Sequence, residues 1–297
     1  MAIGCVHTEW LFRLLQKGAF SGRRALLDLG PQDIQTSRLY LEEAIARHLG
    51  RDPAGAIAAI SDGAAPRRDC QGDFYRLYGI EEYKSADLDD DRADYTVDFN
   101  HPAIEVPRFD VVTDFGTAEH VYDIARVFEF MHRALKPGGL ALHCVPAFAF
   151  PNHGFYTPNP NLFVEFARAN DYELVDFSYV DNMFVREKQI AENGIGGFSF
   201  DALPIQMEDM RDTGAFMTKT VLQFHRNLLS TETRNALGAL APHLPADTAF
   251  PSEQFNLCFV FDLVFVALQK PPRERPLVAP IQTMAGVAPL PQRGRVE

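Results

Sequence analysis

The sequence predicts an α/β fold, a mostly parallel sheet of seven strands flanked by helices, with an insertion before the last strand. Two features carry this reading. Short apolar runs rich in Val, Leu and Phe, bounded by Gly, Pro or Asp, recur along the chain as strands buried on both faces do. Between most of them lie stretches whose apolar residues recur at helical spacing, and that alternation joins parallel strands through right-handed crossovers.

The strands are expected, in order, at Arg24 to Leu29, Tyr83 to Asp87, Tyr95 to Phe99, Phe109 to Thr113, Leu140 to Val145, Tyr172 to Tyr179 and Cys258 to Leu268. Trp10, Leu11, Leu14 and Leu15 share one face of an N-terminal helix that Gly18 ends. Leu41, Ala44, Ile45, His48 and Leu49 form a second such face, with Ser37 as N-cap and Gly50 as stop. A third comprises Ile124, Val127, Phe128, Met131 and Leu135, after which Lys136-Pro137-Gly138-Gly139 turns the chain into the fifth strand. A fourth helix runs from Pro160 to about Ala169, capped by Asn159. Residues 181–254, between the sixth and seventh strands, read as an insertion or cap within a domain spanning 1–270. The remainder, 271–297, is rich in proline without periodicity and reads as a flexible tail.

Charge and cysteine usage narrow the functional classes. Lys and Arg total 28 against 40 Asp and Glu, a formal charge of −12, so an extended phosphate backbone meets a repulsive field and nucleic acid is disfavoured as a partner. Cys5, Cys70, Cys144 and Cys258 are too scattered for CxxC pairs or a zinc grouping and suit reduced thiols in a cytoplasmic protein. His7, Glu9, Arg13 and Lys17 interrupt the apolar residues at the N-terminus, which is no signal peptide. The apolar segment from Phe255 to Lys270 contains Asn256 and Asp262 and falls short of the ~20 apolar residues that a spanning helix needs, so a buried strand is expected and no membrane contact. No metal-ligand motif appears; DLDDDRAD at 87–94 reads as a solvated acidic turn.

In an open parallel sheet, ligands bind beyond the carboxyl ends of the strands. That rule selects Asp28 to Asp33, Asp87, Asp98 to Asn100, Asp114 to His120 and Pro146 to Tyr156. Four of these five strand ends begin with an acid able to accept hydrogen bonds from a hydroxyl-rich, amino-bearing ligand. A single Asp at such a position is more often a helix cap or solvated loop residue; the recurrence is what points to a ligand.

The segments LLDLG at 26–30, SADLDD at 85–90, VDFN at 97–100, FDVVTDFGTAEHV at 109–121 and RALKPGGLALHCVP at 133–146 occur in an order that resembles the class I S-adenosylmethionine (SAM)-dependent methyltransferases. The resemblance implies a Rossmann-like fold, SAM as cofactor and methyl transfer to oxygen or nitrogen of a small-molecule or sugar-like acceptor. It places the methionine end of the cofactor at Asp28 and Gly30, the ribose at Asp87, the adenine at Asp98 and Phe99, and the transferable methyl beside Phe115, Gly116, Thr117 and Glu119. The family's acid-x-Gly-x-Gly loop reads Asp28-Leu29-Gly30-Pro31-Gln32-Asp33 here. Pro31 removes an N–H donor, so the Gln32 and Asp33 side chains are expected to replace backbone contacts, unless cofactor binding is weakened or lost. An inactive, methyltransferase-like binding or assembly protein is therefore the main alternative. An NAD(P)-dependent oxidoreductase is a distant one, because only Gly30 remains of GxGxxG.

The 59 residues from Asp28 to Asp87 exceed a minimal unit of about 30, which predicts an insertion whose Phe74, Tyr75, Leu77 and Tyr78 either cover the cofactor or, more commonly for such residues, pack in the core. His120 and His153 are the candidate bases, since an imidazole titrates near neutrality. For His120 a structural role at the start of a helix is an equal alternative. His153 lies in NHGFYTP, where Phe155 and Tyr156 are expected to line the acceptor pocket. His143, inside the fifth strand, reads as a core residue.

Overall fold

A computed structural model describes residues 2–36, 38–60, 69–148, 154–181, 206–209 and 262–281. A short strand β1 (Ala2–Ile3) leads into helix α1 (Cys5–Gln16), then β2 (Ala25–Leu29) and the short β3 (Asp33–Ile34). Helices α2 (Arg38–Leu49), α3 (Ala54–Ile60) and α4 (Gln71–Tyr75) precede β4 (Glu82–Asp87) and β5 (Tyr95–Thr96). There follow β6 (Phe109–Phe115), α5 (Ile124–Ala134), β7 (Leu135–Phe148), α6 (Asn161–Asn170), β8 (Glu173–Asp181), β9 (Gln206–Asp209) and β10 (Asp262–Gln269).

The main sheet has the order β5-β4-β2-β6-β7-β10-β8-β9. Strands β5, β4, β2, β6 and β7 pair in parallel, while β10 runs antiparallel between β7 and β8. This is the expected seven-stranded class I methyltransferase arrangement, with β9 added antiparallel on the β8 edge. The strand order reverses direction at β2 and β6, and that switch point opens a crevice at their carboxyl ends.

Both faces of the sheet are covered, which explains its apolar strands. Along β10, Leu263, Phe265 and Ala267 join the core under α1 to α4, whereas Val264, Val266 and Leu268 join the core under α5 and α6. Phe74, Tyr75, Leu77 and Tyr78 belong to the first core and are buried, so they pack under the sheet's helices and do not cover a cofactor. Their aromatic faces serve one another: Phe74 meets both Tyr75 and Tyr78 edge-on at 5.4 Å. The N-cap of α6 is Pro160, one residue beyond the expected Asn159, whose Oδ1 accepts from Asn161 N at 2.9 Å in the turn that leads into the helix, while Ser37 lies outside the described residues.

The chain beyond β10 is less free than its composition implies. The amide of Val278 donates to Asn170 Oδ1 at 2.7 Å, Asn170 Nδ2 donates to the Val278 carbonyl at 2.9 Å, and Leu277 packs against the second core. Lys270 is buried, its Nζ donating to the carbonyls of His132 and Leu135 at 2.8 and 3.1 Å, where a cation complements the end of α5. The expected tail thus begins as a docked segment through Val278. Residues 282–297, and the expected insertion apart from β9, lie outside the described residues.

Candidate active site

A cleft of about 410 Å³ opens at the switch point. The loop after β2 supplies Gly30, Pro31, Gln32 and Asp33; β4 and its turn supply Asp87, Leu88, Asp90 and Arg92. The segment after β5 adds Asp98, Phe99 and Asn100, and the one after β6 adds Gly116, Thr117, His120 and Val121. Four strand ends picked out by sequence therefore meet around one space.

Gly30 sets the floor of the first loop. Its φ of +79° is disfavoured for other residues, and a Cβ there would lie 3.0 Å from Gln32 Nε2 and 3.1 Å from Thr117 Oγ1. Its amide donates to the Ala86 carbonyl at 2.8 Å, and Thr117 Oγ1 donates to Leu29 O at 2.6 Å, so β2, β4 and β6 are laced together directly below the cleft. Gln32 folds inward: Nε2 donates to Gly30 O at 3.1 Å, and its buried Oε1 has no hydrogen-bond partner among the described residues. Asp33 is exposed and ion-paired to Arg92 at 2.6 Å.

Asp87 Oδ1 accepts the amides of Asp89 and Asp90 at 2.9 and 3.0 Å, an Asx turn that starts the acidic loop. Asp98 Oδ1 organises the next turn in the same way through Asn100 N at 2.9 Å. Phe99 packs edge-on to Phe130 at 5.3 Å and presents an apolar wall.

Two residues assigned to the cofactor by sequence lie beneath the cleft. Asp28 is fully buried; its Oδ1 accepts from Thr113 Oγ1 at 2.5 Å and its Oδ2 from Tyr83 OH at 3.2 Å. Burial pushes its carboxyl up to about 7, against the lowering effect of hydrogen bonds from Thr113, Gln32 and Tyr83. Glu119 is also buried, and burial followed by the charge of Asp114 raises it to about 8. Its backbone carbonyl accepts the amides of Phe155 and Tyr156 at 2.8 and 3.2 Å. Neither side chain is part of the cleft lining.

Phe115 is a correction. Side chains alternate across a strand, and Phe115 falls on the α1 side, where it is buried against His7 and Trp10 at ring distances of 5.6 and 6.2 Å. Only the backbone turn after it reaches the cleft. On the opposite face, buried Asp114 accepts from Thr117 N and Ala118 N at 3.2 and 2.9 Å and meets His143 Nδ1 at 2.9 Å. His143 is thus a core residue, stacked on Phe128 at 5.3 Å, that supports the wall formed by residues 116–121.

His120 stands at the rim, where desolvation keeps its imidazole below its ordinary value and therefore neutral at pH 7. Phe155 and Tyr156 are held against the same segment. Tyr156 OH donates to Tyr122 O at 2.7 Å, and a Cβ on Gly154 would meet Glu119 O at 2.8 Å, so only glycine lets this loop approach so closely. Phe155 is 67% exposed and Tyr122 72% exposed, an aromatic pair 6.1 Å apart. His153 lies outside the described residues. Among the described residues no group of three or more His, Cys, Asp or Glu is placed to hold a metal, and no helix is long and apolar enough to cross a membrane.

Arg92 was not among the sequence candidates, although it is the single cation within the acidic run 87–94. Asp114 and its partner His143 were likewise assigned no role in the wall.

Residues 81–143 match the family model described as a methyltransferase domain. Solved structures with a similar fold include a candidate methyltransferase of Bacillus halodurans, at 12% identity and TM-score 0.41, over 88% of this chain and 98% of that one. Phosphoethanolamine N-methyltransferase 2 of Haemonchus contortus, solved with SAM, is 17% identical with TM-score 0.39 over 89% of this chain and 52% of its own. An O-methyltransferase of a Brevibacillus brevis trans-AT polyketide synthase, solved with S-adenosylhomocysteine, is 12% identical with TM-score 0.39, over 89% and 72%.

Proposed function

We propose that the chain is a SAM-dependent methyltransferase acting on oxygen or nitrogen of a small-molecule or sugar-like acceptor, a reading supported by its strand order and by the methyltransferase-domain match over residues 81–143. The observation that carries the site assignment is the convergence of Gly30, Asp87, Asp98, Phe99, Gly116 and Thr117 on one cleft of about 410 Å³, within the usual ~300–1,000 Å³ of small-molecule pockets.

The residues suit the cofactor. Asp87, whose Oδ2 lies close to Gly30, would accept hydrogen bonds from the ribose hydroxyls. Phe99 offers an apolar face and Asp98 an acceptor for the adenine side. Gly30, Gln32 and Asp33 border the amino-acid end, Gln32 and Asp33 bringing side chains where the family usually has only backbone. Asp28 and Glu119 act from below, Asp28 by fixing the loop after β2 and Glu119 by anchoring residues 155 and 156. When bound, SAM supplies an electrophilic methyl on a sulfonium centre. The protein's part is to hold the acceptor in line with it and to take a proton where the acceptor must lose one. Neutral His120 at the rim suits that role, His153 is the second candidate, and Phe155 and Tyr156 form the acceptor's side of the entrance.

Calorimetric titration with SAM and S-adenosylhomocysteine tests the reading. Micromolar binding that Asp87→Ala weakens is the expected result; no heat at millimolar cofactor would overturn it. His120→Ala and His153→Ala should each leave cofactor affinity nearly intact, and the variant that loses turnover identifies the base.

A further inference from the structure

The front wall of the cleft is a polar network that passes through Arg92. Its Nε and Nη2 grip both oxygens of Asp90 at 2.9 and 2.6 Å, its Nη2 also donates to the Pro31 carbonyl at 2.9 Å, and its Nη1 reaches Asp33 Oδ1 at 2.6 Å. Asp90 is itself placed by the turn that Asp87 Oδ1 organises. The guanidinium side chain is 17% exposed, so these charge-assisted bonds are largely shielded from water. We infer that Arg92 is a positioning residue for the amino-acid end of the cofactor site, fixing the Pro31 to Asp33 backbone from the nucleoside-side loop. This deepens the cofactor reading above and rests on it.

Three features support it. Proline at position 31 has no amide with which to brace the turn, and the carbonyl it does have is held by Arg92. From the other side, Gln71 Nε2 donates to Gln32 O at 3.1 Å and β3 pairs with β1, so the loop is tied on both flanks by groups outside itself. Finally, Pro31 and Arg92 line both the cofactor cleft and a neighbouring polar cleft of about 650 Å³. The bridge between them is the partition that gives the cofactor cleft its wall. A lysine keeps the charge but cannot reach three acceptors in one plane.

Titration with two ligands separates positioning from general damage: S-adenosylhomocysteine, and 5′-methylthioadenosine, which carries the nucleoside without the amino-acid chain. Arg92→Lys should weaken S-adenosylhomocysteine on the order of tenfold and 5′-methylthioadenosine less than about twofold. Asp90→Ala should shift the same ratio in the same direction, although Asp90 sits on the nucleoside side; only transmission across the bridge gives that result. Equal loss of both ligands, or unchanged binding of both, in Asp90→Ala and in any folded Arg92→Lys would overturn the inference. Wild-type protein that binds neither ligand would refute the cofactor reading itself, and the inference with it.

Discussion

Two neighbouring strands end in buried carboxylates that solve the same problem differently. Asp28 on β2 is satisfied chiefly by hydroxyls, those of Thr113 and Tyr83, whereas Asp114 on β6 accepts two backbone amides and faces an imidazole. Hydroxyls bond either form of a carboxyl group, so burial dominates at Asp28 and favours its neutral form. Amides donate only, and at Asp114 they hold the turn that becomes residues 116–121. The side of the cleft below Gly30 therefore rests on a carboxyl raised by burial, and the side below Thr117 on one bonded to two backbone amides.

Breaking the amide-bonded support should have the largest effect. Asp114→Ala strands two amides and His143 in the core and should cost about 3–5 kcal/mol in urea unfolding. Next comes the support below Gly30. The folded Asp28 carboxyl, at about 7, lies above its ordinary value of 3.8, so the folded chain binds more protons between these limits. Its contribution is fully present below about pH 4 and is lost as pH rises through 7, a change of at most roughly 4 kcal/mol. Glu119, raised to about 8, acts with the same sign. Asp28→Asn should flatten the fall in unfolding midpoint between pH 4.5 and 7.5; an unchanged slope would show that Asp28 is ionised throughout.

A smaller effect, and one confined to binding, is expected from Asp87→Ala, which should weaken SAM by about ten- to a hundredfold through loss of a hydrogen-bond acceptor. Smallest of all, Tyr156→Phe removes one bond to Tyr122 O and should cost about 0.5–1 kcal/mol, with any kinetic change confined to the acceptor's KM.

The strand ends were legible because a parallel sheet forces them to one side, and that alone brought Gly30, Asp87, Asp98 and Thr117 together. What side chains do at those ends was less legible. Phe115 is one residue from Asp114, and a one-residue change of parity sends a side chain to the opposite face of the sheet. Asp28 lies on the same strand end as Gly30, yet depth, which spacing does not encode, puts it under the floor. Arg92 was hidden by its company: among five acids within 87–94 it looks like part of a solvated turn, and only the fold shows that it reaches across to Pro31. The segment after Lys270 illustrates the converse, since proline-rich composition does not reveal that Asn170 waits to pair with Val278.

The position of β10 bears on how the molecule is made. It is an interior strand, hydrogen-bonded along both sides, yet it follows β8 by some eighty residues. Until a ribosome has released residue 269, β7 and β8 each present an unpaired apolar edge, and pairing segments so far apart in sequence is entropically slow to begin. Synthesis therefore passes through a sheet split in two, open to mispairing between nascent chains. Truncation upstream of Asp262 would make that vulnerable intermediate permanent.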